Sequence, residues 1–133
     1  MLDPEKATGM FDIAWNLGEF EEAVRVYADA GRPFWRAEEV ALYYESVGKF
    51  AEALAEWQHL VDSYFAMGEF LLPLLYYPEE VLLLGTWHAN TDKVRAARYL
   101  SSYVWAANKW GSQPLFYLPR KDDARDLLEQ VEQ

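Results

Sequence analysis

The sequence contains no cysteine. Disulfide bonds and thiolate metal sites are therefore excluded, and nothing in the chain requires an oxidising compartment. A basic stretch followed by an apolar run, which a secretory signal needs, is also missing from residues 1–6. The expected location is the cytoplasm.

The chain also lacks an uninterrupted apolar run of the length that crosses a bilayer. Its most apolar window, residues 70–87, contains Pro73, Pro78, Glu79 and Glu80. Two prolines and two carboxylates prevent this window from spanning the hydrocarbon core as one helix. We therefore expect no membrane insertion.

Basic residues are scarce relative to acidic ones, at 12 against 22, which gives a formal net charge of -10. Such a field repels phosphate backbones, so nucleic acid is not expected as a partner. Two explanations of the acidic surface remain. It serves solubility, or it attracts a basic protein.

Signals for β-strands are scarce as well. Hairpin dipeptides such as Asn-Gly are absent, and alternating apolar and polar runs are short. With 133 residues, of which 52% are hydrophobic, the chain has the size and apolar content of a single domain over residues 1–133. The predicted class is all-α.

One internal repeat is visible, between residues 18–27 and 48–57, at a separation of 30 residues. In each copy a glycine is predicted to end one helix in a left-handed conformation, and an aromatic residue packs back as the next helix begins. The apolar positions that follow recur at helical spacing, which predicts that Phe20 and Phe50 share the inward stripe with the residues after them.

Capping residues, prolines and periodic apolar positions predict the other helices. Residues 4–67 are expected to hold four helices in two hairpins, with Pro33 opening the third, and residues 69–77 a short or broken helix. Helices are further expected over residues 78–89, 93–110 and 120–132. The inward residues of the long helix are predicted to be Ala97, Leu100, Val104 and Ala107.

The two copies resemble the tetratricopeptide repeat. The matching positions are Gly18, Phe20, Ala23 and Tyr27 in the first copy, and Gly48, Phe50, Ala53 and Trp57 in the second. The resemblance implies antiparallel helical hairpins stacked as a short right-handed superhelix. Residues 1–67 would form two repeats, and residues 68–133 a divergent layer and C-terminal cap. The repeat spacing departs from the family's usual value of about 34.

Proteins of this family bind peptides or partner helices along the inner face of the first helix of each hairpin. In the second copy the resemblance places six residues on that face: Trp35, Glu38, Glu39, Leu42, Glu45 and Ser46. Three carboxylates argue against a C-terminal carboxylate as the ligand. They favour a basic or amphipathic peptide or helix, which makes the chain an adaptor or scaffold. The alternative is a solvated acidic face.

No catalytic, metal or cofactor motif is present. His59 and His88 are the only histidines, and neither lies in a zinc-binding pattern. Phosphate loops, nucleophile elbows and dinucleotide fingerprints are also missing. We expect no enzymatic activity, no cofactor and no metal. A site assembled from Glu79, Glu80, His88 and Asp92 is the alternative left open.

The aromatic residues of the long helix suggest a second function. Tyr99, Tyr103, Trp105 and Trp110 would form a self-association surface if they were exposed, although burial of two or three of them in the core is the stronger expectation. The alternative to an adaptor is therefore a structural module that forms a homodimer or is part of a longer repeat protein.

Overall fold

The computed structural model describes residues 3–133, with the backbone alone at Pro4. Every regular element in this range is a helix, and none is a β-strand. The all-α prediction is confirmed. Met1 and Leu2, which belong to the segment expected to lack a secretory signal, lie outside the described residues.

The predicted helices are present, with small shifts at their ends. They are α1 (Pro4–Asn16), α2 (Phe20–Asp29), α3 (Ala37–Ser46), α4 (Phe50–Ala66), α5 (Leu71–Tyr76), α6 (Pro78–His88), α7 (Lys93–Trp110) and α8 (Lys121–Glu132). None of these described helices combines the length and the apolar composition that a bilayer span requires.

The beginning of the third helix was predicted wrongly. Pro33 has an extended backbone, with φ -59° and ψ 123°, and is followed by a 3₁₀ turn at Phe34–Arg36. A residue with that ψ cannot start an α-helix, so α3 begins only at Ala37. As a result Trp35 lies in the 3₁₀ turn, one turn before the helix to which it was assigned.

The chain divides into two compact units, Met1–Leu60 and Val61–Gln133. The first contains α1 to α3 and most of α4. The second contains the end of α4 and α5 to α8.

Three glycines end helices in the same way. The backbone φ is 76° at Gly18, 77° at Gly48 and 78° at Gly68, the left-handed region that favours glycine. After each glycine, the next N–H donates to the carbonyl five residues before it, as in Glu19 to Ala14 at 2.9 Å. Together with a bond from the glycine N–H, this is the Schellman motif. The predicted left-handed corner is confirmed at both repeat glycines.

Whether the aromatic residue after each corner contacts another ring depends on the residue five positions before it. Phe20 lies edge-on against Trp15 at 4.7 Å between ring centroids, and Phe70 lies against Phe65 at 4.9 Å. At the second corner that position is Glu45, so Phe50 has no such ring to contact there. Its side chain is 69% exposed. Phe20 is also exposed, at 38%, although its ring contacts Trp15. The prediction that both phenylalanines lie on the inward stripe is therefore wrong.

Buried Glu56 of α4 joins the two hairpins of the first unit. Its carboxylate accepts a hydrogen bond from the hydroxyl of Tyr27, and two from the guanidinium of Arg32 at 2.9 and 3.2 Å. Burial and the Glu56 carboxylate raise the pKa of Tyr27 well above its ordinary value. The last aromatic position of the first repeat therefore contacts the second repeat directly.

In the second unit α7 packs against both α6 and α8. Its buried residues are Ala96, Tyr99, Leu100, Tyr103, Ala106 and Ala107. The predicted inward positions Ala97 and Val104 are only half-buried. The stripe differs because α7 is covered on two sides, and because the hydroxyls of Tyr99 and Tyr103 find partners at Asp62 and at the Arg120 N–H.

Candidate functional site

The six residues predicted to bind a partner differ in exposure. Trp35 and Leu42 are 51% and 48% exposed. Glu38 and Glu39 are half-buried, and Glu45 and Ser46 are exposed.

Glu39 takes part in a charged cluster at the base of α3. The guanidinium of Arg36 pairs with Asp12 of α1 and lies 3.5 Å from the Glu39 carboxylate. It also lies over the ring of Phe11, 5.2 Å from the centroid. Burial raises the pKa of Glu39, and Glu38 adds to this effect while Arg36 opposes it. Glu39 therefore contributes to packing between α1 and α3.

Glu45 and Ser46 also have partners inside the first unit. The Glu45 carboxylate accepts a hydrogen bond of 2.9 Å from the indole N–H of Trp57 on α4. The Ser46 hydroxyl donates to the carbonyl of Tyr43 at 2.6 Å. Since Trp57 is 3% exposed, its N–H needs an acceptor, and Glu45 provides one.

Trp35, Glu38 and Leu42 are the remaining members of the predicted stripe. Their spacing of three and then four residues places them on one side of the turn and helix. This surface, called here the α3 face, offers one indole ring, one aliphatic side chain and one carboxylate.

An acidic groove lies at the start of α2, where the sequence indicated only a structural corner. It has a volume of about 960 Å³ and includes Gly18, Phe20 and Tyr43 among its lining residues. Its charged lining residues are Glu19, Glu21, Glu22 and Arg25. The acidic run Glu19 to Glu22 indicates this groove in the sequence, but these residues were assigned only to the helix corner of the first repeat copy.

The cation of this groove is already engaged. The Arg25 guanidinium pairs with Glu22 and lies 3.0 Å from the Asp29 carboxylate. Carboxylates therefore determine the charge of the groove. Tyr43 follows Leu42 in the chain and connects the groove to α3.

Only part of the self-association surface predicted on α7 is exposed. Tyr99 and Tyr103 are buried, as was the stronger expectation, whereas Trp105 is 43% exposed. Trp105 lies edge-on against Trp110 at 4.8 Å, and the ammonium group of Lys109 lies 5.7 and 4.9 Å from the two ring centroids. An exposed indole with a cation above it remains at this place.

The alternative site consists of Glu79, Glu80, His88 and Asp92. Of these, His88, Asp92 and Glu79 each have a different place in the structure. His88 is half-buried and stacks on Tyr99 at 6.1 Å. Asp92 caps α7 by accepting from the Arg95 N–H at 3.1 Å. Glu79 lines a separate cavity described below. Within residues 3–133, no group of three or more acidic or histidine side chains is arranged to hold a metal ion.

Comparison with known proteins gives no relative. No protein-family model, no curated protein and no solved structure matches this chain.

Proposed function

We propose that this chain is a tetratricopeptide-like repeat protein of the cytoplasm whose role is to bind another protein rather than to catalyse a reaction. Its partner would be a basic or amphipathic peptide or helix. The proposal includes right-handed stacking of the repeat hairpins, with residues 68–133 as a divergent layer and cap.

The repeated corners support the repeat assignment. Gly18 and Gly48 stand 30 residues apart with φ values that differ by one degree, and each is followed by the same hydrogen bond. Ala23 and Ala53, the small residues of the two copies, are both at most 2% exposed. Small buried residues allow the backbones of neighbouring helices to approach closely.

The exposure of Trp35 and Leu42 is the observation that carries the binding proposal. Burying such side chains against a partner removes apolar area from water, and an exposed Trp is the type of residue that anchors interfaces. Glu38 on the same face and the carboxylates of the acidic groove would favour a partner with basic residues. Amphipathic helices present both apolar and basic groups.

Peptide binding tests this proposal. A fluorescein-labelled peptide with Leu and Lys at helical spacing is titrated with the chain by fluorescence anisotropy, and a peptide with Glu in place of Lys is titrated in parallel. We expect saturable binding of the Lys peptide that weakens with added salt, because salt screens the charge attraction. Equal binding of both peptides, or of neither, would contradict the proposal.

Three variants locate the binding surface. Trp35→Ala is expected to weaken binding by about 30-fold, the effect of losing about 2 kcal/mol at an interface anchor. Glu38→Lys should weaken binding of the Lys peptide and strengthen binding of the Glu peptide. Glu21→Lys makes the same charge change on α2 and separates a contribution of the acidic groove from one of the α3 face.

Reversing the charge of Glu39 or Glu45 would disturb contacts inside the first unit, so neither residue is used in this test. Reversing Glu39 would set two cations side by side at Arg36, and reversing Glu45 would remove the acceptor of Trp57. A loss of binding in either variant would not distinguish a binding role from damage to the fold.

Self-association is the second candidate, and the exposure of Trp105 favours it. A homodimer that buries this ring would show twice the monomer mass in light scattering at high concentration, and Trp105→Ala would restore the monomer. Trp87→Ala removes another exposed ring, on α6, and serves as the control. A monomer in the unmodified chain would exclude this candidate.

A further inference from the structure

A cavity of about 480 Å³ lies in the second unit, where α6 and α7 meet the segment over residues 111–120. This volume is within the usual range of small-molecule sites, about 300 to 1,000 Å³. Much of its wall is apolar and comes from Leu82 and Leu83 of α6 and from Tyr117 and Pro119 of the segment. A ligand with an apolar body would bury its surface here.

One buried hydroxyl group lies at the wall of this cavity. Tyr103 is 2% exposed, and its oxygen accepts a hydrogen bond of 3.2 Å from the N–H of Arg120. Tyr103, Pro119 and Arg120 all line the cavity, and the hydrogen bond places the Tyr103 hydroxyl next to the Arg120 backbone. In the part of the chain that the structure describes, no hydrogen bond uses the Tyr103 O–H as a donor.

A ligand with an acceptor would take a hydrogen bond from this O–H beside an apolar wall, where such a bond is stronger than in water. Burial raises the pKa of Tyr103, so the hydroxyl keeps its proton at neutral pH. Thr86, which also lines the cavity, already donates its hydroxyl proton to the carbonyl of Leu82 at 2.9 Å. Tyr103 is therefore the buried hydroxyl donor of the cavity, whereas the other lining tyrosine, Tyr117, is 74% exposed.

The charges at the cavity disfavour an anion. Glu79 contributes a carboxylate, and the guanidinium of Arg120 lies 3.1 Å from the carboxylate of Asp123. The single cation is thus paired, with both partners 65% exposed, and one carboxylate of the lining remains in excess. An anionic ligand would meet net negative charge beside an apolar wall.

We propose that this cavity binds a small, uncharged, ring-containing molecule that carries a hydrogen-bond acceptor, such as an aromatic ketone or amide. The rings lie against the leucine and tyrosine side chains, and the acceptor takes the proton of the Tyr103 hydroxyl. Pro78 and Pro119 fix φ on two sides of the cavity, which reduces the ordering cost of binding. This site is independent of the α3 face.

A matched pair of probes tests the two parts of the proposal. Benzophenone has two rings and a carbonyl acceptor, and diphenylmethane has the same rings without the acceptor. Both are titrated into the full chain and followed by amide chemical shifts in NMR spectra. We expect saturable shifts at Leu82, Leu83 and Arg120 for both probes, with benzophenone binding about 5-fold more tightly, the effect of one neutral hydrogen bond. The anion 4-benzoylbenzoate should bind more weakly than benzophenone.

Substitutions distinguish the contribution of the Tyr103 hydroxyl donor from that of the open volume of the cavity. Tyr103→Phe is expected to remove the preference for benzophenone while both probes still bind. Leu83→Trp enlarges a side chain that is 49% exposed at the cavity wall, and it should weaken both probes without disturbing the core. Trp87→Ala, on the same helix but outside the cavity lining, is the control and should leave both affinities unchanged.

Photolabelling identifies the place of binding, because excited benzophenone reacts with C–H bonds close to it. Label on peptides containing residues 78–86 or 117–120 supports the proposal. It is overturned by an absence of saturable binding, by label confined to other peptides, or by a preference for benzophenone that survives Tyr103→Phe. Loss of peptide binding at the α3 face would leave all of these results unaffected.

Discussion

Replacing Glu56 tests how the two hairpins of the first unit are joined. This carboxylate has three hydrogen bonds from two partners, which differ in their surroundings. Tyr27 is 2% exposed, whereas the Arg32 side chain is 44% exposed. The same acceptor group therefore makes one buried interaction and one that solvent screens.

The expected magnitudes follow from that difference. A buried hydrogen bond to a charged group contributes about 1.5 to 3 kcal/mol, whereas an ion pair with a half-exposed partner contributes at most about 1 kcal/mol. Glu56→Ala removes both and leaves the Tyr27 hydroxyl without an acceptor. We expect it to lower the free energy of unfolding by about 2 to 4 kcal/mol.

Double-mutant cycles in urea, followed by far-UV circular dichroism, measure each interaction separately. The cycle of Tyr27→Phe with Glu56→Ala should give a coupling energy of about 1.5 kcal/mol or more. The cycle of Arg32→Ala with Glu56→Ala should give less than about 1 kcal/mol. If the Arg32 coupling were the larger one, burial would not determine which contact stabilises the junction, and the reasoning would be refuted.

Three further predictions concern backbone conformation, packing and charge, and each is tested by the change in unfolding free energy in urea. Gly48→Ala should destabilise the chain by about 1 to 2 kcal/mol because φ is 77°, although a Cβ would meet nothing within 4 Å. The control Gly9→Ala has the same free space inside α1 but no positive φ, and it should stabilise the chain by about 0.5 to 1 kcal/mol. Equal effects of the two substitutions would refute a backbone origin. Gly85→Ala should destabilise by about 1 to 3 kcal/mol, since its Cβ would lie 2.7 Å from Leu100; a neutral result would mean that α6 and α7 are less tightly packed than the structure has them. Burial raises the folded-state pKa of Glu39, so the stability it contributes is full below its unfolded value near 4.5 and is lost as pH rises through the folded value. Glu39→Gln should therefore be slightly more stable than the unmodified chain at pH 7 and equal to it at pH 3, and lower stability at pH 7 would contradict this.

The candidate site was predicted in part. The helical spacing that places Glu38 and Leu42 on one side of α3 can be obtained from the sequence, because both residues lie on one helix. Trp35 was assigned to the same helix, but it lies in the 3₁₀ turn before it. The same pattern could not reveal that Glu39 pairs with Arg36, or that Glu45 receives the indole N–H of Trp57. Those partners lie on other elements or depend on the 3₁₀ turn after Pro33, and a periodic pattern carries no information about either.

The cavity beside Tyr103 could not be predicted from a periodic sequence pattern either. Its wall combines α6, α7 and the segment after Trp110, and the sequence predicted only that this segment would be an apolar loop. Nothing in the pattern Leu115 to Pro119 indicates that the Arg120 N–H reaches a tyrosine 17 residues earlier.

The sequence by itself determined the all-helical class, the helix order and the corners at Gly18 and Gly48. These features depend on interactions within a few residues: capping side chains, the fixed φ of proline, the positive φ that glycine tolerates and the 3.6-residue period. Only the tertiary structure determined which side of α7 is buried and which residues Glu56 contacts. It also determined that the rings of Phe20 and Phe70 contact another ring at the corner, whereas that of Phe50 does not. Each of these depends on which side chain a distant element brings opposite, and that choice is made when the helices pack.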